Sequence, residues 1–150
     1  MIKSFHILGV VLFLGNIIVS GIWRISAERS KDFAVIKHSL KLINFTDLLF
    51  TLPGIILIIG SGHPLAAKIG GIGAYPWIYH SYALLTVSII LWLGGLLPIQ
   101  RKQYKIMKQD IADSHLSPSF KKLTMWWSIL GIFATLLPLI AMVLMVVQPK

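Results

Sequence analysis

The sequence has no cysteine. Disulfides, cysteine zinc sites, thiolate nucleophiles and iron–sulfur clusters are therefore excluded. Charge is also scarce: 13% of the 150 residues are charged, about half of what a soluble domain of this size carries. A signal-peptide cleavage site is missing as well. Only Lys3 precedes the first apolar run, no Ala-x-Ala follows it, and Gly21, Trp23 and Arg24 occupy the place where cleavage would fall. The run is expected to persist as a helix.

What the chain does have is apolar length. Hydrophobic residues make up 56% of it and fall in four blocks: Ser4–Trp23, Ser39–Gly60, Trp77–Ile99 and Leu123–Val147. Each is long enough to cross a bilayer, which takes roughly 20 apolar residues in a helix. The blocks use up most of the chain, leaving no soluble catalytic domain. The expected fold is all-α: a single transmembrane domain over residues 1–150, an antiparallel four-helix bundle running up-down-up-down in the lipid bilayer. Pro53, Pro98 and Pro138 should bend their helices locally, because proline removes a backbone donor.

Orientation is read from the loops. Arg24, Arg29, Lys31, Lys37 and Lys41 lie between or beside the first two blocks. Arg101, Lys102, Lys105, Lys108, Lys121 and Lys122 lie between the last two, and the opposite face has only Lys3, Lys68 and Lys150. The positive-inside rule puts both basic loops in the cytoplasm and both chain ends outside. The formal net charge of +9 is thus a topology signal, and no basic–aromatic module points to nucleic acid. Residues 100–122 should form a short amphipathic helix on anionic headgroups, with Ser117-Pro118 restarting the chain. Tyr75, Trp77 and Tyr79 suit an outer aromatic belt, and Trp126 and Trp127 an inner one.

Polar side chains inside a bilayer are costly and usually face the bundle interior. On the first helix His6, Gly9, Phe13, Asn16 and Ser20 recur at helical spacing and share one face. Gly9 would admit another backbone or a flat ligand. On the second, Asn44, Asp47 and Thr51 form a similar stripe at a depth close to that of Asn16. Together they make a candidate buried polar layer. It either clasps the helices or offers a carboxylate for protons or ions, in which case a small transporter or conducting bundle, working as a homo-oligomer, follows.

His6 and His80 start the first and third helices on the same membrane side. Facing histidines in a bundle can ligate one haem iron, and His63 in the outer loop can join or replace one of them. Three histidines on one face suit copper or zinc equally. Interfacial bonding to headgroups is the plainer role, and His38 and His115 read as ordinary loop residues.

Three stretches carry a resemblance: Phe5-His6-Ile7-Leu8-Gly9 with Leu14-Gly15-Asn16 and Trp23-Arg24; Asn44-Phe45-Thr46-Asp47 with Thr51-Leu52-Pro53-Gly54; and Pro76-Trp77. Together these resemble a small bacterial integral-membrane family of unknown function. That family is distantly similar to the CopD-like group, which includes the HemJ-type protoporphyrinogen oxidases. The resemblance implies a bacterial cytoplasmic membrane, haem b held by His6 and His80, and a redox or electron-transfer role with a redox partner. Gly9 would face the porphyrin edge, and Lys3 or Lys68 a propionate. Ser81 and Tyr82 stand where those oxidases have a lysine nearby, which argues against porphyrinogen oxidation. CopD-type members imply copper instead, but this chain has neither cysteine nor a methionine-rich motif. The remaining alternative is an accessory subunit with no cofactor.

Overall fold

In hydrocarbon every peptide group must be satisfied within the chain, so long Leu/Ile/Val runs settle as helices. The computed structural model describes residues 1–113 and 116–149, with the backbone alone over 108–113. His115 lies outside the described residues. Four helices are long and apolar enough to cross a membrane: Ile2–Ser30, Phe33–Ala67, Pro76–Met107 and Pro118–Val147. The helix of the third span continues without a break to Asp113. The amphipathic helix expected in the second basic loop is thus a continuation of the third helix.

The connections are short and chemically specified. After the first helix Lys31 takes a left-handed conformation at φ 56°. The Asp32 carboxylate then caps the second helix, accepting from the Ala34 N–H at 2.7 Å and the Val35 N–H at 3.3 Å. Gly70 and Gly71, at φ 101° and 98°, end the second helix, where a side chain would be strained. Ser117 caps the fourth helix by accepting from the Phe120 N–H at 3.2 Å, and Pro118 fills its first position.

Two helices each widen into one π-turn, over Asp47–Thr51 and Trp92–Leu96. In both, a proline follows two residues later, at Pro53 and Pro98. Proline lacks the N–H and crowds the carbonyl four residues back. The helix answers by bonding Leu52 N–H to Asp47 O, and Leu97 N–H to Trp92 O, five residues apart.

The first helix packs mainly on the second, and the third on the fourth. In the first pair Gly9 and Gly54 bring the backbones into contact. A Cβ on Gly9 would lie 2.9 Å from Gly54 O, and one on Gly54 would lie 2.8 Å from Phe13 N. The two hairpins meet through the second and third helices near the loop-rich end, hereafter the basic end, where Phe33–Thr46 lies against Leu97–Asp113. The apolar core between them holds Phe13, Leu14, Ile55, Ile58, Trp92 and Leu96. Large apolar residues elsewhere, such as Val11, Leu48, Ile56, Ile90 and Phe133, point outward, as a lipid-facing surface requires.

Candidate functional site

The polar stripe of the first helix turns inward: Gly9, Phe13, Asn16, Ser20 and Arg24 are buried. Asn16 Nδ2 donates to Asp47 Oδ1 at 3.0 Å and to Thr51 Oγ1 at 2.8 Å. Thr51 Oγ1 in turn donates to Asp47 Oδ1 at 3.0 Å. The third helix supplies the other carboxyl oxygen: Gln100 Nε2 donates to Oδ2 at 3.3 Å, and Trp92 Nε1 lies 3.5 Å from it. Asp47 is 4% exposed and has four neutral donors around it. Among the described residues no cation pairs with it.

Asp47 opens one π-turn and Trp92 opens the other, so both widened segments border this layer. Asn44 stays outside it. Half-buried, it bonds back to Leu40 O at 2.7 Å on its own helix, which takes its amide out of the layer.

A second polar layer lies about 12 Å nearer the basic end, eight residues along the first helix from Asn16. Arg24, 1% exposed, donates from Nε to Glu28 Oε1 at 2.5 Å and from Nη2 to Thr124 Oγ1 at 3.1 Å. Its guanidinium lies 5.5 Å from the ring centres of both Phe120 and Trp127. Gln103 Nε2 donates to the same Thr124 hydroxyl at 2.9 Å. Trp127 is thereby a core residue, 8% exposed, while Trp126 alone suits the belt, at 46%.

The histidines are placed differently. His6 is half-buried, with Nδ1 3.1 Å from Ser61 Oγ, and Ser61 in turn donates to Leu57 O. His63 is exposed, its Nδ1 3.2 Å from the Tyr82 hydroxyl. His80 is exposed, its ring edge-on to Tyr79 at 5.6 Å. Its neighbour Ser81 takes the inward position, donating to Ala141 O at 3.3 Å. Lys3 is exposed.

These positions do not fit a porphyrin between His6 and His80. One ring faces the bundle interior and the other faces outward. The cavity beside His6, lined also by Ile58, Gly62, Tyr82 and Met145, measures about 20 Å³. That admits a water molecule, whereas small-molecule sites begin at roughly 300 Å³. Gly9 is filled by Gly54 of the second helix, so the space expected for a porphyrin edge is taken by backbone. Among the described residues no cluster of three His, Asp or Glu side chains forms a metal site.

Sequence reasoning missed Trp92, Gln100, Gln103, Arg24 and Thr124. Gln100 adjoins Arg101 and Lys102 and read as the start of a basic loop. For Arg24 a signal was available: Glu28 stands four residues on, the spacing of a helical ion pair.

Residues 1–149 match the model of a family described as a predicted integral membrane protein (DUF2269). The chain belongs to that family. No curated protein and no solved structure matches it. The chain is therefore an integral membrane protein with its apolar helices in the lipid bilayer.

Proposed function

We propose that the protein is a small proton-coupled membrane transporter whose working group is the Asp47 carboxyl. The observation that carries this is a buried carboxyl surrounded by four donors and no cation. A charge there has hydrogen bonds but no counter-ion, and a costly ionisable group held inside a membrane marks a functional site by default. A metal ion would need several oxygen ligands, but the neighbours direct N–H and O–H groups at Asp47. A proton needs only one lone pair. To accept it, one donor must become an acceptor, and Gln100 can do so by turning its amide, whose Oε1 has no partner. The two π-turns support the same reading, since such turns are frequent at functional sites.

By the positive-inside rule the basic end faces the cytoplasm and both termini lie outside, and the family resemblance points to a bacterial inner membrane. Reporter fusions after Lys31 should then behave as cytoplasmic and fusions at Lys150 as external. A bundle this small is expected to work as a homo-oligomer.

The test is Asp47→Asn in purified protein reconstituted into vesicles. The variant keeps its shape and most hydrogen bonds, so it should fold while losing pH-driven proton uptake and the infrared band of a protonated carboxyl. Uptake unchanged in Asp47→Asn would refute the proposal. The rival reading, drawn from the CopD-like and HemJ-type resemblance, is a redox protein binding haem b, or copper. It makes a different demand: a Soret band that weakens in His6→Ala and His80→Ala. A coloured protein with those responses would displace the transporter.

A further inference from the structure

Five buried polar atoms have no hydrogen-bond partner among the described residues: Ser20 Oγ, Ser39 Oγ, Gln100 Oε1, Gln103 Oε1 and Trp127 Nε1. Their side chains belong to residues that are all more than nine-tenths buried. Buried polar groups are nearly always satisfied, by ordered water where protein offers nothing. The location of these five is uneven. Ser20 lies one helical turn from Asn16 and one from Arg24, between the two polar layers. Gln100 touches the Asp47 layer and Gln103, three residues on, touches the Arg24 layer. Ser39 is two turns from Asp47 toward the same end, and Trp127 packs on Arg24.

The other half of the bundle has no such groups among the described residues. There the buried hydroxyls of Ser61, Ser81 and Ser88 donate to carbonyls. From Asn16 to His6 is ten residues, about 15 Å along the helix. That interval is filled by Phe13, Leu14, Ile55 and Ile58.

We infer that a file of ordered water runs from the basic end, past Arg24, Gln103, Ser39, Ser20 and Gln100, and stops at Asp47. It is a one-sided entry path for the proton. The inference rests on the proposed role of Asp47. Hydronium in the file gives its proton to a carboxylate oxygen and returns to water, so one O–H bond breaks and one forms. Gln103 and Ser20 supply the lone pairs that hold the file in place, and Arg24 with Glu28 stands at its mouth. The apolar interval beyond Asp47 closes the opposite side.

Because the chain has no cysteine, a single thiol is an unambiguous probe. Ser20→Cys and Ser39→Cys replace hydroxyls that have no protein partner, so neither loses a bond. Ser88→Cys, in the apolar half, is the control. In infrared spectra of the full chain in vesicles, transfer into D2O should abolish the S–H band of Ser20→Cys and Ser39→Cys. The Ser88→Cys band should persist. If the Ser20→Cys and Ser39→Cys bands persist like that of Ser88→Cys, the groups are dry and the path does not exist. The same experiment, with the Asp47 carboxyl band followed in parallel, separates two failures. Dry thiols beside a carboxyl that still takes up protons refute the path alone. Exchanging thiols beside a carboxyl that never protonates refute the role of Asp47 and leave only a hydrated cavity.

Discussion

The two halves of the bundle are held together differently. In the basic half, side-chain hydrogen bonds join every neighbouring pair of helices. Asn16 reaches Asp47 and Thr51, Gln100 reaches Asp47, Gln103 reaches Thr124, and Arg24 reaches Thr124. In the other half the bonds stay within a hairpin: His6 with Ser61, Ser81 with Ala141 O, Ser88 with Ala134 O. Between hairpins there, Tyr82 and His63 form an exposed link. The basic half is thus a ring closed by polar groups, and the opposite half is two hairpins laid side by side. Among the described residues, the buried carboxyl Asp47, the π-turns and the unpartnered polar atoms all belong to the closed ring.

If that contrast is right, substitutions should separate by half, with effects read as unfolding of the purified protein in one detergent. The largest loss is expected for Asp47→Leu, which strands four donors at once. Interhelical bonds in membranes average about 0.6 kcal/mol, and an unsatisfied buried group costs about 1–3 kcal/mol, so a loss of about 2–4 kcal/mol is expected. Asp47→Asn should lose much less; equal losses would mean that packing, not bonding, decides the layer. Next come Gly9→Ala and Gly54→Ala. Each added methyl meets backbone at 2.8–2.9 Å, which cannot rotate away, so about 1–3 kcal/mol is expected. Gly95→Ala is the counterpart, since its methyl meets only the tip of Leu130 at 2.9 Å. It should cost clearly less than Gly54→Ala, and a reversed order would mean that the glycine crossing does not set the first hairpin.

Thr124→Val keeps the shape but removes the acceptor shared by Arg24 and Gln103. About 1–2 kcal/mol is expected from the two stranded donors. Tyr82→Phe, in the other half, removes one exposed bond and should stay within about 0.5 kcal/mol. Equal costs for Thr124→Val and Tyr82→Phe would erase the difference between the halves.

Parts of the site were legible in the sequence. Asn16, Asp47 and Thr51 come together because four-residue spacing and matched depth already put them on facing stripes. Asn44 fits the same periodicity yet stays out, because its amide bonds back to the Leu40 carbonyl of its own helix. His6 and His80 share a membrane side but not a face. Ile78, Ser81 and Ser88 are the buried residues of Pro76–Leu91, which turns His80 outward. A sequence gives depth along each helix. The rotation of a helix about its own axis depends on its neighbours.

By itself the sequence determined the number of membrane spans, the end at which the basic residues gather, and that proline would disturb the helices at Pro53 and Pro98, whereas Pro138 sits within the unbroken α-helix Pro118–Val147. Each follows from local chemistry: apolar length, loop charge and a missing N–H. Only the tertiary structure decided which polar groups meet. Gln100 and Trp92 close the Asp47 layer from a different hairpin, and Arg24 and Gln103 converge on Thr124 of the fourth helix. These meetings depend on how far two π-turns rotate their helices and how closely Gly9 and Gly54 let two backbones approach. Both are properties of packed pairs, so no single helix's sequence contains them.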